Sequence, residues 1–307
     1  MRLIYMGTPD FAVPALDLLI QSGLRPVAVA TGRDKARGRG RKVSPTPVKT
    51  VAERHGISII QPDSVKDRQF ARDVAEFEPD LIVVVAFRIL PPEVFNAARL
   101  GAFNLHASLL PRFRGAAPIQ RALMEGVHKT GVTTFFLREK VDTGNIILQE
   151  RISVGPNETA GELHDRLAEL GARAVVDTVR LIESGRAKAI QQDSASATPA
   201  PKISKDDCRI DWSMPNVDIH NHIRALSPDP GAWTQHAGSR LKIFRTLPTE
   251  SDEAAEPGTI IDVSGRLEIA CGSGGIDVVE LQREGKGRVT AVDFVNGYAV
   301  HVGDQLS

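Results

Sequence analysis

The chain has 307 residues, of which 42% are hydrophobic and 25% are charged, and its formal net charge is zero. This is an ordinary globular composition with enough chain for two domains, and the charge balance argues against a protein that coats nucleic acid indiscriminately. Its two cysteines, Cys208 and Cys271, are too few and too far apart for a disulfide framework or a zinc site. Since we find no apolar leader, no transit peptide and no run long enough to span a membrane, we expect a cytoplasmic protein.

The first part of the chain alternates apolar runs with helical patterns. Strands are predicted at residues 3–6, 26–30, 57–60 and 80–86. Helices are predicted at residues 8–22, 45–55 and 65–77. The run at 80–86 is apolar on both faces, which is typical of a central parallel strand covered by helices on each side. The alternation predicts βαβ crossovers and an α/β domain with a doubly wound, mostly parallel, Rossmann-like sheet.

Two polar residues follow in the next predicted strand. Asn104 and His106 are two positions apart, so their side chains leave a strand on the same face. The strand cannot continue through Pro111, Gly115 allows a sharp turn, and Pro118 suits the first position of a helix at 119–125. The pair is therefore predicted at the carboxyl end of a strand, where open α/β sheets bind ligands.

The pattern Asn-x-His-x-Ser-Leu-Leu-Pro-x-x-x-Gly-x-x-Pro at 104–118, followed by Asp142-Thr143-Gly144, resembles the signature of the 10-formyltetrahydrofolate-dependent formyltransferases. Residues 112–120 resemble the branch of that family that formylates tRNA-bound methionine, and the resemblance runs from residue 6 nearly to the C-terminus. It implies 10-formyltetrahydrofolate as the formyl donor, initiator methionyl-tRNA as the acceptor, and no metal.

Formyl transfer is the attack of an amine on an activated formyl carbon, so the protein must supply donors for the developing oxyanion, a route for the amine proton, and exclusion of water. Asn104 offers amide donors, and a protonated His106 offers a charged donor to the same oxygen. Asp142 can hold His106 charged, because a nearby carboxylate raises the pKa of an imidazole, and it can collect the amine proton. The resemblance implies the same roles, so Asn104, His106 and Asp142 are the predicted catalytic residues. Each motif alone would more often be a hydrogen-bonding pair or a turn.

The resemblance also implies where the folate binds. The predicted folate-binding residues are Phe87, Arg88, Ile89, Leu90, Ser108, Leu109, Leu110 and Pro111. Relatives usually carry Tyr-Gly where this chain has Phe87-Arg88. Ser108 is expected to be a loop hydroxyl rather than a nucleophile, because formyl transfer needs no acyl-enzyme. The start of the chain lacks G-x-G-x-x-G, so NAD binding is not expected.

A basic, glycine-containing stretch at 33–42 follows the second predicted strand. Charge runs are usually solvated loops, but this one lies at the predicted ligand-binding edge, and tRNA-acting members of the family resemble this chain in having such an insertion. Arg39, Arg41 and Lys42 are therefore predicted to contact the acceptor stem. Lys202 and Lys205 would extend a basic track, although an ordinary solvated linker explains them equally well.

Later in the chain, strands are predicted at 132–137 and 146–152, one or two helices at 159–184, and several short strands beyond residue 209. We predict a catalytic domain at 1–188, a linker at 189–207 and a small β-barrel, tRNA-binding domain at 208–307. Spacing alone fits several barrels, and the resemblance implies an OB-fold-like one. Scattered basic residues there could contact phosphates: Arg224, Arg240, Lys242, Arg245, Arg283, Lys286 and Arg288.

Two other hypotheses remain open. The first keeps the catalytic domain but changes the acceptor, giving a sugar-nucleotide or glycinamide ribonucleotide formyltransferase, or a formyltetrahydrofolate hydrolase. The basic stretch and the barrel count against it, because a small acceptor needs neither. The second is an RNA-binding protein whose formyltransferase-like domain is inactive, against which the intact Asn104, His106 and Asp142 argue. We expect a monomer.

Overall fold

The computed structural model describes residues 1–37, 42–251 and 255–307. These divide into two compact units. The first unit comprises residues 1–115, 130–152 and 164–199, and the second comprises residues 116–129, 153–163 and 200–307. Two short segments that the sequence assigns to the catalytic domain thus pack with the second unit, whereas the predicted linker at 189–207 divides between the two units after residue 199. The predicted boundaries at 188 and 207 stay a prediction.

The elements up to residue 200 are strands and helices in alternation. The strands are β1 (Leu3–Gly7), β2 (Ala28–Ala30), β3 (Lys35–Arg37), β4 (Lys42–Ser44), β5 (Ser58–Ile60), β6 (Leu81–Val85), β7 (Ala102–His106), β8 (Arg114–Gly115), β9 (Lys129–Phe136), β10 (Ile146–Ser153) and β11 (Pro199–Ala200). The helices are α1 (Val13–Gln21), α2 (Pro47–Arg54), α3 (Arg68–Ala75), α4 (Pro92–Phe95), α5 (Pro118–Met124) and α6 (Ala160–Glu183).

The first unit is built on a seven-stranded sheet with the order β10-β9-β7-β6-β1-β2-β5. The five strands from β7 to β5 pair in parallel, and β9 runs antiparallel to β7. All five residues of β6 are buried, because the sheet is covered on both sides. Val84 packs in one apolar cluster with Phe70 of α3 and Val94 of α4. On β7, Leu105 contacts α6, where a Cβ added at Gly171 would lie 2.5 Å from the Leu105 side chain. The predicted doubly wound, mostly parallel α/β fold is confirmed.

The strand order reverses beside β1, with β2 and β5 on one side and β6 and β7 on the other. Adjacent parallel strands that connect in opposite directions leave a crevice at their carboxyl ends, and open α/β sheets bind ligands there. The carboxyl ends of β6 and β7 are Val85 and His106. The fold therefore brings the segment after β6 next to the polar pair on β7.

The second unit contains α7 (Asn216–Ala225), β12 (Ala232–His236), β13 (Ser239–Thr249), β14 (Ile260–Asp262), β15 (Glu268–Ala270), β16 (Gly275–Arg283), β17 (Arg288–Thr290) and α8 (Ala291–Gly297). Its strands form an antiparallel sheet in the order β12-β13-β16-β15-β14, and β17 pairs with β16. The core includes Trp212, Ile223, Ile243, Leu281 and Phe294. The predicted β-rich domain is confirmed, and its closure into an OB-fold-like barrel stays a prediction. None of the helices in the described ranges is long and apolar enough to span a membrane.

Candidate active site

His106 lies at the end of β7 with 6% of its surface exposed. Its Nε2 lies 2.7 Å from the carbonyl oxygen of Phe113. A carbonyl only accepts hydrogen bonds, so Nε2 carries the hydrogen and donates it. The other ring nitrogen, Nδ1, lies 3.9 Å from Asp142 Oδ2. The Phe113 carbonyl therefore fixes the imidazole with its second nitrogen directed at the carboxylate.

Asp142 belongs to the loop between β9 and β10, and its backbone has a positive φ of 54°. Few residues other than glycine adopt this conformation, and in aspartate its cost is modest. The Asp142 carboxylate accepts a hydrogen bond of 2.9 Å from the main-chain N–H of Gly115. Two loops that are distant in sequence therefore meet at this carboxylate, one after β7 and one after β9.

Asn104 and Asp142 line one pocket. The structure thus brings the three predicted catalytic residues together at the carboxyl edge of the sheet. The pocket is further lined by residues after β6 and β9: Phe87, Arg88, Ile89, Leu90, Phe95, Leu137, Arg138 and Val141. Within the described ranges, no group of three or more His, Cys, Asp or Glu side chains is arranged to hold a metal ion.

The walls of this pocket are largely apolar and partly open. Ile89 is 70% exposed and Val141 is 46% exposed, so both present apolar surface to solvent. The Arg88 guanidinium donates hydrogen bonds of 3.2 and 2.9 Å to the carbonyl oxygens of Pro62 and Asp63. These bonds tie the 87–90 wall to the segment after β5. Four of the eight predicted folate-binding residues, Phe87 to Leu90, therefore lie together around the pocket.

The other four predicted folate-binding residues, Ser108, Leu109, Leu110 and Pro111, are not among the residues that line the pocket. The buried Ser108 hydroxyl donates a hydrogen bond of 2.7 Å to the carbonyl oxygen of Arg112, as a loop hydroxyl would. The Leu110 N–H donates a hydrogen bond of 3.1 Å to Thr133 Oγ1, and the Leu110 side chain packs with Phe135. These contacts hold the loop between β7 and the turn at Gly115. A direct folate contact by the four residues stays a prediction.

Sequence reasoning missed Gln192, which lies in the predicted linker. Its side chain is 6% exposed and joins two segments of the site. Its Nε2 donates to the carbonyl oxygens of Asp142 and Gly144, and its Oε1 accepts from Arg114. A glutamine among Ala, Ser, Thr and Pro residues has no local pattern that distinguishes it from a solvated one. Arg138 and Val141 were missed for the same reason, because only the fold places them on the pocket.

The predicted tRNA-binding residues are only partly described. Arg39 and Arg41 lie outside the described residues, and so does the side chain of Lys42. The strands on either side of residues 38–41, β3 and β4, pair antiparallel with Arg37 opposite Lys42. Lys202 and Lys205 are exposed. All five residues remain predictions as tRNA contacts.

The second unit presents a cluster of cations beside aromatic rings. We define its basic face as Arg209, Trp233, Arg240, Lys242 and Arg283. The Arg240 guanidinium lies 4.4 Å from the centroid of the Trp233 ring, and that of Arg209 lies 6.0 Å from it. Arg240, Lys242 and Arg283 line one shallow cleft. Cations beside an aromatic ring are the combination that single-stranded nucleic acid recognition uses.

Comparison with family models matches both halves of the chain. Residues 1–179 match the model described as "Formyl transferase". Residues 202–299 match the model described as "Formyl transferase, C-terminal domain". Two models of one family therefore account for nearly all of the chain.

Among the curated relatives, a protein of Chlorobium luteolum is 48% identical to this chain, and the match covers 98% of both chains. A protein of Moorella thermoacetica is 45% identical, and the match covers 100% of this chain and 99% of the relative. Both are named methionyl-tRNA formyltransferase. Among solved structures, an N-formyltransferase from Helicobacter canadensis, in complex with folinic acid and dTDP-3-aminofucose, has a TM-score of 0.70 at 20% identity. It covers 91% of this chain and 98% of its own. HypX from Aquifex aeolicus with tetrahydrofolic acid has a TM-score of 0.66 at 17% identity, covering 98% of this chain and 48% of its own. At such identities the solved structures show the fold alone.

Proposed function

The chain belongs to the formyl transferase family, and from this premise we propose that it transfers the formyl group of 10-formyltetrahydrofolate to the α-amine of methionine on initiator tRNA. The products are N-formylmethionyl-tRNA and tetrahydrofolate. The observation that carries the proposal is that Asn104 and Asp142 line one pocket and that His106 Nδ1 lies 3.9 Å from Asp142 Oδ2. Relatives named for this reaction match the chain over nearly its full length.

The substrate amine is the nucleophile, so the protein needs no covalent intermediate. The amine nitrogen attacks the formyl carbon, and the carbonyl oxygen gains negative charge in the tetrahedral intermediate. The Asn104 amide, which lines the pocket, can donate to this oxygen, and His106, if protonated, would supply a charged donor from the side of Asp142. Such donors are effective because they are held in place before the reaction. The C–N bond to the folate then breaks, and the formyl group stays on the amine.

Asp142 is the group that handles the proton in this scheme. The attacking amine loses one proton, and the departing folate nitrogen needs one, so a carboxylate beside both can take the first and supply the second. Asp142 Oδ2 is held by the Gly115 N–H and lies 3.9 Å from His106 Nδ1. This distance is longer than a direct hydrogen bond. A reacting group or a water molecule can therefore contact both atoms.

The pocket has the character that a reduced folate requires. Phe87, Leu90, Phe95 and Leu137 give apolar walls for a flat ring system, and Asn104 and Asp142 provide the polar end. Structural neighbours with this fold were solved with folinic acid and tetrahydrofolic acid. Both observations support 10-formyltetrahydrofolate as the donor. All three catalytic candidates come from one compact unit of one chain, which supports a monomer as the active species, and we propose that it acts in the cytoplasm.

A tRNA acceptor is favoured over a small one by two features. The basic stretch at 33–42 follows β2, whose carboxyl end lies at the same edge of the sheet as those of β6 and β7. The basic face of the second unit offers Arg240, Lys242 and Arg283 in one cleft. A sugar nucleotide or a single small amine needs neither surface. Phosphate contacts by arginine and lysine suit an RNA backbone.

The experiment is formyl transfer from 10-formyltetrahydrofolate with four acceptors assayed in parallel. These are initiator methionyl-tRNA, elongator methionyl-tRNA, free methionine and an amino-sugar nucleotide. We expect transfer to initiator methionyl-tRNA alone. Transfer to the sugar alone would preserve the reaction and overturn the acceptor. Binding of tRNA without transfer to any acceptor would favour the RNA-binding hypothesis.

A further inference from the structure

Gln192 uses its whole amide to join the two loops that meet at the catalytic carboxylate. Its Nε2 donates hydrogen bonds of 3.0 Å to the Asp142 carbonyl and 2.7 Å to the Gly144 carbonyl. Its Oε1 accepts hydrogen bonds of 3.0 and 2.6 Å from Nε and Nη2 of Arg114. Arg114 precedes Gly115, whose N–H binds the Asp142 carboxylate. The Gln192 side chain therefore holds the main chain of the Asp142 loop against the side chain of Arg114.

Only a residue with both a donor and an acceptor at its tip can make these contacts. Carbonyl oxygens only accept, and a guanidinium only donates, so the amide orientation is fixed by its partners. A glutamate would keep the acceptor for Arg114 but would place a second acceptor against two carbonyl oxygens. A leucine would keep the volume and lose all four bonds. The position therefore requires a primary amide of this length.

The same segment also holds the partner of His106. The N–H of Phe113 donates a hydrogen bond of 2.9 Å to Thr198 Oγ1, and the carbonyl of Phe113 accepts a hydrogen bond from His106 Nε2. The Arg114 main-chain N–H donates a hydrogen bond of 2.9 Å to the carbonyl oxygen of Thr198. Residues 192–198 thus lie along the loop that orients His106 and beside the loop that carries Asp142. Residues 192–198, which resemble a linker in composition, therefore support both His106 and Asp142.

We infer that Gln192 is a positioning residue for formyl transfer, because it sets the place of the Asp142 carboxylate relative to His106. This inference depends on the proposed function. Gln192 acts through Asp142, whose main chain it holds. Misplacing a catalytic group by about 1 Å costs roughly 10²-fold in rate. Loss of the amide should therefore lower turnover without changing substrate affinity.

The first test compares Gln192→Leu and Gln192→Glu with the unmodified chain in the initiator-tRNA assay. We expect kcat to fall roughly 10- to 100-fold in both, with KM for tRNA and folate unchanged within about threefold. Gln192→Glu is decisive because it keeps the acceptor for Arg114 and removes only the donors to the Asp142 loop. If the residue merely anchors Arg114, Gln192→Glu will retain near-normal kcat, and the inference is wrong.

The second test is a double-mutant cycle with Asp142→Asn. If Gln192 acts through Asp142, adding Gln192→Leu to Asp142→Asn will cause no further loss, because the group that it positions is already disabled. Losses that multiply would mean that Gln192 acts independently of Asp142 and would overturn the inference. The control is Thr178→Val on α6, which removes a buried hydrogen bond of 2.7 Å to Thr134 in the same unit. It should retain kcat within about threefold.

A third readout needs no activity. Amide hydrogen exchange should accelerate in peptides that cover residues 138–145 in both Gln192 variants, and not in Thr178→Val. Unchanged exchange there would contradict a positioning role, even in a chain that proved inactive towards every acceptor. Inactivity of the unmodified chain would overturn the proposed function alone. Normal turnover by the Gln192 variants would overturn only this inference.

Discussion

The main-chain N–H of Gly115 donates a hydrogen bond of 2.9 Å to Asp142 Oδ2. Hydrogen bonds to a charged acceptor are stronger than those between neutral groups, so this contact orients the carboxylate. The same oxygen lies 3.9 Å from His106 Nδ1. A peptide group of the loop after β7 thus directs a side chain of the loop after β9 towards the imidazole.

Removing either candidate donor to the formyl oxygen should lower turnover strongly. His106→Ala and Asn104→Ala are each expected to lose roughly 10²–10⁴-fold in kcat, the scale of one acid–base or oxyanion group. The measurement is single-turnover formylation of initiator methionyl-tRNA. The matched control is His164→Ala, at a partly exposed histidine of α6 that does not line the pocket. Near-normal turnover in either test variant would remove that residue from the mechanism.

Gly144→Ala should disturb the Asp142 loop through sterics alone. A Cβ at this position would lie 1.6 Å from the carbonyl oxygen of Phe136, so the loop or β9 must move. We expect a loss of about 1–3 kcal/mol in the free energy of unfolding and roughly 10²-fold in kcat. Denaturant titration and the transfer assay check both values. Gly287→Ala is the control, because among the described residues no heavy atom beyond its chain neighbours lies within 4 Å of its added Cβ; equal behaviour of the two variants would refute the steric argument.

The basic stretch should contribute to tRNA affinity through phosphate contacts. Replacing Arg39, Arg41 and Lys42 by glutamine is expected to weaken binding, and the slope of log K against log salt should fall by about one for each phosphate interaction that the substitutions remove. Fluorescence anisotropy with labelled tRNA at several salt concentrations measures the slope. Lys66, Arg68 and Arg173 are exposed cations elsewhere in the first unit, and their replacement by glutamine is the charge-matched control. The hypothesis fails if both triple variants change the slope equally.

Two histidines, the buried His220 and the half-buried His222, should make the second unit sensitive to mild acid. Burial lowers the pKa of His220 and of His222 below the ordinary value of 6.5. Among the described residues, His222 Nε2 has no hydrogen-bond partner. His220 Nε2 can donate to the Pro156 carbonyl, and its Nδ1 bonds to the Thr246 hydroxyl, which can donate or accept, so burial is what opposes protonation of His220.

When a base has a lower pKa in the folded state than in the unfolded state, the unfolded chain binds more protons than the folded chain below about pH 6.5. Stability from these groups is therefore complete above pH 6.5 and is lost as the pH falls from that value towards the folded-state pKa. Urea denaturation at pH 7.5 and 5.5 should show a smaller acid loss for His222→Leu than for the unmodified chain. His128→Leu, at an exposed histidine, should leave the loss unchanged. An identical acid loss in His222→Leu would exclude His222 as a cause.

Local sequence patterns predict the parts of the site that regular elements carry. Asn104 and His106 could be assigned to a strand end because Pro111 stops the ladder, and the apolar run of β6 defined its position in the sheet. Gln192 could not be found this way, because its importance comes from three partners far away in sequence. The pocket residues Arg138 and Val141 likewise depend on how β9 pairs with β7.

Helix α8 was not predicted, although the chain carries a signal for it. Thr290 Oγ1 accepts a hydrogen bond from the N–H of Asp293, and the two side chains also bond at 2.7 Å. This arrangement follows the capping-box spacing, with aspartate in place of the usual glutamate. The helix has only seven residues, so its hydrophobic periodicity is too short to detect. Capping chemistry therefore predicts short helices where periodicity fails.

The packing of Trp233 against Arg240 gives the protein an internal optical probe. The chain has only two tryptophans, and they differ in environment. Trp212 is 5% exposed and donates its indole N–H to Thr234, whereas Trp233 lies partly exposed on the basic face. A nucleobase that displaced the guanidinium would stack on the Trp233 ring and quench its emission, while Trp212 would report only unfolding. Occupancy of the basic face can thus be followed by the intrinsic fluorescence of the unlabelled protein.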